Sequence, residues 1–302
     1  MKKIRLYALA ALFLFALPFA AHATAFIDAT GRSLEIENPR CVVSLFGSYG
    51  QLWQIAGGTL AATTQDILER QPDEDIVNIG SYTEPNMEAV FALEPDLVIL
   101  SAKTKAHVQL GELLEEAGIC HAYFEVMTWR DYMDALDIMT SLTGRRDLYQ
   151  AQVEAVQRPI EGMVEAAQGL SGHGERTALL LRASSTQVHA KDSSDTVAGP
   201  ILNDLGFVNL ADGDSPLSEN LSMEAILAAD PDWIFVTTQG LDSEAAQATI
   251  RATLTEHPAW ASLSAVQGGR FIMLDPMLFH YRPNDRWAEA YRFVFDLLHE
   301  AE

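Results

Sequence analysis

The chain has few basic residues and no long basic segment. It carries 20 lysines and arginines against 42 aspartates and glutamates, so its formal net charge is −22. This balance argues against binding to nucleic acids or to anionic membrane surfaces, although a cleft can still carry its own local cations. A solvated acidic surface that favours solubility accounts for most of the charge.

The motifs of common enzyme classes are also missing. Residues 47–50 read Gly-Ser-Tyr-Gly, which is not the Gly-x-Ser-x-Gly elbow of an α/β hydrolase. There is no Walker loop, no Cys-x-x-Cys and no His-Glu-x-x-His. The eight histidines are scattered and form no His-rich loop, which argues against a bare zinc or manganese site. We therefore expect no catalytic residue, no metal site and no cofactor, and we keep an exported hydrolase as the enzymatic alternative.

Cysteine is equally scarce, with only Cys41 and Cys120 in the chain. Each lies at the start of an apolar segment or just before one. In an oxidising compartment the two could form a disulfide. Two buried thiols at strand edges agree with the sequence at least as well, because sequence alone does not give the distance between them.

Long apolar runs are confined to the N-terminus. A segment with three cations precedes the apolar run 6–20, and residues 21–23 read Ala-His-Ala, which fits a cleavage site. The run is short for a membrane span, and no cysteine that could carry a lipid follows the expected cut. We predict that residues 1–23 are a signal peptide and that a soluble, exported chain begins near Thr24. Loss of the three cations makes the net charge about −25.

Apolar segments in the rest of the chain alternate between strand and helix patterns. This alternation implies a mostly parallel sheet covered on both faces. Residues 145–170 break the rhythm, because apolar residues recur there at helical spacing, with a kink expected at Pro159. The sequence therefore predicts an α/β protein with an N-terminal lobe (24–144), a connecting helix (145–170) and a C-terminal lobe (171–302).

One segment occurs twice. Residues 86–100 read NMEAVFALEPDLVIL, and residues 222–236 read SMEAILAADPDWIFV. Each copy is predicted to form a short amphipathic helix, a Pro-Asp turn and a buried strand. Two copies in different parts of the chain indicate two similar lobes, which present Glu88 and Glu224 at equivalent places.

A family resemblance rests on this repeat and on several other short segments. They are DATGR (28–32), CVVSL (41–45), Gly80 with PNME (85–88), PDLV (95–98), Leu202, Leu-Gly (205–206) and Val-Asn (208–209). The chain resembles the substrate-binding proteins of ABC importers, in the class that carries iron siderophores, haem and cobalamin. The resemblance covers essentially the whole mature chain. It implies a class III periplasmic binding protein, in which two Rossmann-like lobes joined by a long rigid helix hold the ligand between them.

The resemblance also implies that Glu88 and Glu224 dock onto arginines of a permease dimer in the inner membrane. The residues support this independently, because a two-lobed protein can offer one carboxylate to each half of a dimer, and Arg–carboxylate pairs are directional. The alternative is that each glutamate only stabilises the first turn of its helix through the macrodipole. Because the repeat helices precede strands and the ligand loops follow them, we expect docking and ligand binding to occupy different parts of each lobe.

Ligands of open α/β sheets bind at the carboxyl ends of the strands. The loops expected there are aromatic and basic, which suits bulky, ring-bearing or anionic ligands. The expected ligand-binding residues are Phe46, Tyr49, Tyr82, Lys103 and Trp129 in the first lobe and Arg182, His189, Lys191, His280, Tyr281 and Arg282 in the second. His280 and Tyr281 could ligate iron, or His280 could form a hydrogen bond within the hinge.

The expected function is capture and delivery by a monomer, without covalent chemistry. A ferric siderophore is the expected ligand, and haem and cobalamin are the alternatives within the same class. A ligand sensor that works without a transporter is an alternative of another class, because it would share the same fold.

Overall fold

The computed structural model describes residues 23–69, 71–169, 176–219, 221–240 and 243–300. Residues 1–22 of the expected signal peptide lie outside this part of the chain. The first elements are β1 (Thr24–Ile27) and β2 (Ser33–Ile36), which pair antiparallel as a hairpin. Among the residues that the structure describes, no helix is long and apolar enough to cross a membrane.

The N-terminal lobe contains a five-stranded parallel sheet. Its strands are β3 (Val42–Ser44), β4 (Ala62–Thr63), β5 (Val77–Asn78), β6 (Leu97–Ser101) and β7 (His121–Phe124). They lie in the order β5-β4-β3-β6-β7. The helices are α1 (Gly47–Ile55), α2 (Gln65–Leu68), α3 (Met87–Ala92), α4 (Lys105–Glu116) and α5 (Trp129–Thr143). Every residue of the inner strand β6 is buried, as expected for a parallel sheet covered on both faces.

Helix α1 begins earlier than the sequence suggests. Residues 47–50 have the glycine-rich composition of a loop, but they form the first turn of the helix. A Cβ atom on Gly47 would lie 2.3 Å from a side-chain carbon of Ile67, and one on Gly50 would lie 3.0 Å from Leu60. The glycines therefore allow close packing of this turn rather than a flexible loop.

The connecting element is helical but is not one regular α-helix. It consists of α6 (Arg146–Gln152), a π-helical turn (Val153–Gln157) and α7 (Arg158–Gly169). Pro159 has no N–H group and cannot donate to the carbonyl four residues earlier. A π-helical turn lies just before Pro159, where the regular hydrogen-bond pattern of the α-helix is interrupted.

The C-terminal lobe contains a second five-stranded sheet. Its strands are β8 (Arg176–Ala183), β9 (Val188–Ala190), β10 (Phe207–Asn209), β11 (Trp233–Thr238) and β12 (Phe271–Met273). Four of them are parallel in the order β10-β8-β11-β12, and β9 pairs antiparallel with β8. The helices are α8 (Ala198–Asp204), α9 (Pro216–Glu219), α10 (Met223–Ala229), α11 (Ser243–Ile250), α12 (Ser264–Gln267), α13 (Pro276–Phe279) and α14 (Trp287–Glu300).

The doubled segment has the same structural role in both lobes. In the first copy, Asp96 Oδ2 accepts hydrogen bonds from the backbone N–H groups of Arg40 and Cys41, at 2.9 Å each. In the second, Asp232 Oδ2 accepts from the backbone N–H and the hydroxyl of Thr177, at 3.0 and 2.7 Å. Asp96 thus links the residues before β3 to the start of β6, and Asp232 links the start of β8 to the start of β11.

The two helices of the repeat also end alike. Glu94 and Asp230 occupy equivalent positions and have φ values of 47° and 38°. A residue in the left-handed region ends a helix and turns the chain. The helix therefore ends with the same backbone geometry before the Pro-Asp turn of each copy. The two copies are similar in structure as well as in sequence.

The two cysteines are free. Cys41 precedes β3 and lies opposite Asp96, whereas Cys120 precedes β7 and lies opposite Leu97 on the other side of β6. A full strand separates them, so their Cα atoms are about 10 Å apart, which is beyond the reach of a disulfide. Burial raises the pKa of both thiols.

Candidate ligand cleft and docking surface

An aromatic wall lies at the carboxyl edge of the N-terminal sheet. Phe46 immediately precedes α1 and is half-buried. Its ring centroid lies 4.7 Å from that of Tyr49, 5.9 Å from that of Tyr82 and 6.1 Å from that of His107. Tyr82 is 43% exposed, so Phe46 and Tyr82 supply the accessible part of this wall.

Two residues expected to bind ligand belong to the core instead. Tyr49 is 1% exposed, and its hydroxyl oxygen accepts a hydrogen bond from the backbone N–H of Val126 at 3.1 Å. Trp129 is 5% exposed, and the guanidinium carbon of Arg130 lies 4.5 Å from the centre of its ring. The structure therefore assigns packing roles to Tyr49 and Trp129, because neither offers free surface to a ligand.

Lys103 lies in the loop after β6 and is exposed. Its Nζ atom is 3.1 Å from Oε1 of Glu125, which follows β7. The two side chains form a surface ion pair at the same edge of the sheet as Phe46. A surface pair of this kind contributes about 0–1 kcal/mol and leaves the lysine able to exchange partners.

His107 is a residue at this edge that the sequence analysis missed. It is fully buried in α4, and its Nδ1 atom lies 2.9 Å from the backbone nitrogen of Ser101. Because that N–H must donate, Nδ1 accepts and Nε2 carries the proton. Nε2 then donates to the carbonyl oxygen of Tyr82 at 2.7 Å. Burial lowers the pKa of His107, which keeps this neutral form.

The C-terminal lobe presents a basic face on the β8–β9 hairpin. Arg182 pairs directly with His189 across the hairpin, so their side chains share a face. Lys191 lies two residues beyond His189 and therefore continues the same face. These residues border a pocket of about 500 Å³. The rest of its lining is polar and consists of Ser184, Ser185, Gln187, Gln239 and Gly240.

Arg182 is only partly satisfied in this pocket. One terminal nitrogen donates to the backbone carbonyl of Asp195 at 3.4 Å, but Nε is buried and has no hydrogen-bond partner within the described part of the chain. Burial lowers the pKa of the guanidinium, which nonetheless stays charged because arginine titrates far above neutrality. A buried donor without a partner is costly, so an acceptor placed here would be stabilised.

His280 lies within electrostatic reach of two arginines. Burial, together with the charges of Arg182 and Arg282, lowers its pKa to about 4. The ring is therefore neutral near pH 7, and its buried Nδ1 has no partner among the described residues. The ring of Tyr281 packs edge-on against it, with centroids 4.9 Å apart. Among the residues that the structure describes, Nδ1 therefore does not form the hydrogen bond within the hinge that the sequence left open for His280.

The segment 281–284 joins the C-terminal lobe to the aromatic wall. The guanidinium carbon of Arg282 lies 5.1 Å from the centre of the Phe46 ring, and its Nε donates to the carbonyl of Val126 at 3.1 Å. Asn284 donates from Nδ2 to the carbonyl of Ser48 at 3.0 Å and to Oε1 of Gln51 at 2.9 Å. Basic and aromatic side chains from the two lobes thus meet at one place.

Metal-binding side chains do not converge. Within the described ranges, no group of three or more His, Cys, Asp or Glu residues could hold a metal ion. The side chains at the cleft are instead donors for anions and flat surfaces for rings.

Glu88 and Glu224, the residues expected to dock, are exposed on the first turns of α3 and α10. The helix caps come from other residues, because Asn86 accepts from the backbone N–H of Ala89 at 3.1 Å and Ser222 accepts from that of Ala225 at 3.2 Å. Within the part of the chain that the structure describes, neither Glu88 nor Glu224 forms an ion pair or hydrogen bond. Both carboxylates therefore face solvent.

Helix α3 begins beside the N-terminal sheet, and the expected separation of docking and ligand binding in this lobe stays a prediction. The backbone N–H of Asn86 donates to the carbonyl of Ile79 at 2.7 Å, directly after β5. Helix α3 therefore begins at the carboxyl edge of the sheet, where Tyr82 also lies. Although α3 precedes β6 in sequence, its first turn with Glu88 starts beside the carboxyl end of β5.

Comparison with known proteins agrees with this architecture. A family model described as "Periplasmic binding protein" matches residues 42–278. The Fe(3+)-citrate-binding protein YfmC of Bacillus subtilis is 25% identical over 198 residues, which cover 65% of this chain and 58% of YfmC. The chain thus spans less than two thirds of that relative. The petrobactin-binding protein YclQ of the same organism is 22% identical over 266 residues, which cover 82% of this chain and 78% of YclQ.

The fold recurs in solved structures. The periplasmic vitamin B12 binding protein BtuF of Vibrio cholerae superposes with a TM-score of 0.70, at 18% identity. The superposition covers 87% of this chain and 98% of BtuF. The superposition shows that this chain has the two-lobed fold of class III periplasmic binding proteins.

Proposed function

This chain belongs to the periplasmic binding protein family, and from this premise we propose that it captures an anionic ferric chelate between its lobes and delivers it to an ABC importer. A ferric siderophore is the proposed ligand class. The protein acts as a monomer after export to the periplasm, without covalent chemistry. Its partner is a permease dimer in the inner membrane.

The basic face of the C-terminal lobe is the observation that carries this proposal. In a chain of net charge −22, Arg182, His189 and Lys191 border one pocket, and Arg282 lies beside the aromatic wall. The charges of Arg182, Lys191 and Arg282 in the cleft of an acidic protein favour a ligand with carboxylates or other anionic oxygens. Phe46, on the opposite side, suits the rings or flat surfaces of a bulky chelate.

The relatives support iron as the metal carried. YfmC is named for Fe(3+)-citrate, and YclQ is named for petrobactin. In the cleft of this chain, the chelator would coordinate the metal, while the protein would bind the outside of the complex.

The docking role of Glu88 and Glu224 is supported by their equivalence and exposure. Each lies in the second position of its helix, and separate residues provide the caps. Carboxylates held on two matching helices can pair with arginines of a two-fold symmetric partner. A sensor that works alone would have no use for this symmetry.

The ligand is tested by purifying the mature protein from its native periplasm and recording its absorption spectrum together with a mass spectrum. A charge-transfer band in the visible region, with a chelator mass, supports the proposal. A Soret band would establish haem instead, and a corrin spectrum would establish cobalamin.

A titration tests the basic face directly, with ferric citrate as the probe and intrinsic fluorescence as the readout. Arg182→Gln should weaken binding by about 10- to 100-fold, because a charge-assisted hydrogen bond is lost. Arg251→Gln is the matched control, since Arg251 is exposed in the π-helical turn after α11. Equal affinity of the two variants would contradict the proposed role of the basic face.

A further inference from the structure

A short loop connects the aromatic wall of the cleft to the docking helix α3. We call residues 80–86 the Tyr82 loop. Gly80 accepts a backbone hydrogen bond from Gln65 at 2.8 Å, and a β-bridge joins Gly80 to Pro85 across the loop. At the other end, the backbone N–H of Asn86 donates to the carbonyl of Ile79 at 2.7 Å. Both ends of the loop are therefore fixed to the edge of the sheet.

The interior of the Tyr82 loop is also held by its own hydrogen bonds. The hydroxyl of Ser81 accepts from the backbone N–H of Glu84 at 3.1 Å and lies 3.1 Å from the hydroxyl of Thr83. A closed loop with internal bonds moves as a unit rather than residue by residue. Its last residue, Asn86, is the cap of α3, and Glu88 follows two positions later.

One buried side chain holds the middle of this loop. Nε2 of His107 donates to the carbonyl of Tyr82 at 2.7 Å, while Nδ1 accepts from the backbone N–H of Ser101 in β6 at 2.9 Å. The ring of Phe46 packs edge-on against both His107 and Tyr82. His107 thus connects the central sheet to the loop from beneath the cleft wall.

We propose that His107 is a positioning residue for both functions of the N-terminal lobe. By holding the Tyr82 carbonyl it sets the aromatic wall that faces the ligand and, through the Tyr82 loop, the first turn of α3 that carries Glu88. A ligand that displaces Tyr82 would therefore move Glu88, and the permease could distinguish loaded from empty protein. The docking part of this inference rests on the proposed function.

Two substitutions of His107 separate its two hydrogen bonds. The amide of Asn reaches about as far as Nδ1, so His107→Asn keeps the bond to Ser101 and loses the bond to Tyr82. The amide of Gln reaches about as far as Nε2, so His107→Gln keeps the bond to Tyr82 and loses the bond to Ser101. Each variant loses one hydrogen bond and part of a ring, so their losses of stability should be similar.

The primary readout is amide exchange, measured by NMR on the full mature protein without ligand. In His107→Asn, the amides of Asn86 and Ala89 should exchange about fivefold faster than in His107→Gln. The second readout is affinity for the permease in nanodiscs, which should fall about fivefold in His107→Asn but not in His107→Gln. Equal exchange rates in the two variants would overturn the inference.

The unmodified protein provides a test that does not depend on how well the variants fold. If the Tyr82 loop and the first turn of α3 are one unit, the amides of Asn86 and Ala89 should open with the same free energy and the same denaturant dependence as the Nε2–H of His107. Separate opening of these groups would overturn the inference. Failure of Glu88→Ala to weaken permease binding would instead contradict the proposed docking function, and the exchange result would stand on its own.

Discussion

Arg282 donates a hydrogen bond from Nε to the backbone carbonyl of Val126 at 3.1 Å, and so ties the C-terminal segment of the chain to the N-terminal lobe. Asn284, two residues later, forms two further bonds to α1. A further contact joins the lobes at Asp204, which accepts from Arg130 at 3.1 Å and also from Tyr291 of its own lobe at 2.7 Å. The lobes are therefore connected by more than the helix between them.

The hydrogen bonds from Asn284 to α1 predict that substitution of Asn284 destabilises the protein. Asn284 is buried and has φ of 52°, a conformation that asparagine tolerates better than most residues. Asn284→Ala should lower the free energy of unfolding by about 2–4 kcal/mol, because two hydrogen bonds are lost and the backbone becomes strained. Urea unfolding measures this loss. Asn284→Gly also removes the two hydrogen bonds, but glycine adopts a positive φ without strain, so its loss of stability should be smaller. Equal losses of stability in the two variants would contradict the role of backbone strain.

The equivalent contacts of Asp96 and Asp232 predict that both aspartates stabilise the fold. Asp96→Asn and Asp232→Asn keep the shape of the side chain but weaken its charge-assisted bonds to Cys41 and Thr177. Each change should lower the free energy of unfolding by about 1 kcal/mol, as measured by urea unfolding. Ligand affinity should not change. A variant with normal stability would show that the turn does not need its aspartate.

The alternation of strands and helices and the doubled segment were predictable from the sequence. Buried parallel strands such as β6 are short apolar runs, and their pattern is local. The start of α1 was not predictable, because Gly47 and Gly50 have the composition of a loop. Only the packing of their backbone against α2 and β4 shows why a helix there needs glycine.

The candidate cleft was predictable as a set of loops but not residue by residue. The rule that ligands bind at carboxyl ends of strands selected Phe46, Tyr82 and Arg182, whose contact with a ligand stays a prediction. The same rule selected Tyr49 and Trp129, which are buried, because it does not predict whether a side chain points into the core. His107 was missed, since a histidine in an amphipathic helix has no sequence pattern that reveals its hydrogen-bond partners.

The docking glutamates predict a loss of uptake with ligand binding intact. In cells that depend on this importer, Glu88→Ala combined with Glu224→Ala should abolish most uptake of iron, because two directional carboxylate–arginine pairs are lost. The affinity of the purified variant for ferric citrate should equal that of the parent. Glu112→Ala, on the exposed face of α4, is the control and should transport normally. Normal uptake by the double variant would favour a sensor over an importer subunit.

His280 predicts a decrease in stability in acid. Its folded pKa is about 4, whereas an unfolded histidine titrates near 6.5. Between these values the unfolded chain binds a proton that the folded chain does not, so the free energy of unfolding falls as the pH falls from 6.5 to 4. The loss reaches up to about 3 kcal/mol and does not grow further below pH 4.

Substitution of His280 checks this pH dependence. Urea unfolding of His280→Gln at several pH values should give a shallower slope between pH 6.5 and 4 than that of the parent. Some slope will remain, because burial also lowers the pKa of His107 and His121. His257→Gln, at an exposed position, is the control. A slope as steep in His280→Gln as in the parent would mean that His280 is not the group that titrates.

The ties between the lobes predict a small movement on ligand binding. The connecting element packs into the hydrophobic core through Val156, Ile160 and Met163, and that core contains side chains from both lobes. Wide hinge motion would separate these buried surfaces and break the bonds of Arg282 and Asn284, which together oppose opening. Small-angle X-ray scattering should therefore give the same radius of gyration with and without saturating ferric citrate. A marked decrease in the radius of gyration on addition of the chelate would contradict this prediction. It would mean that the lobes close about a hinge and that the bonds from Arg282 to Val126 and from Asn284 to Ser48 form only in the closed state.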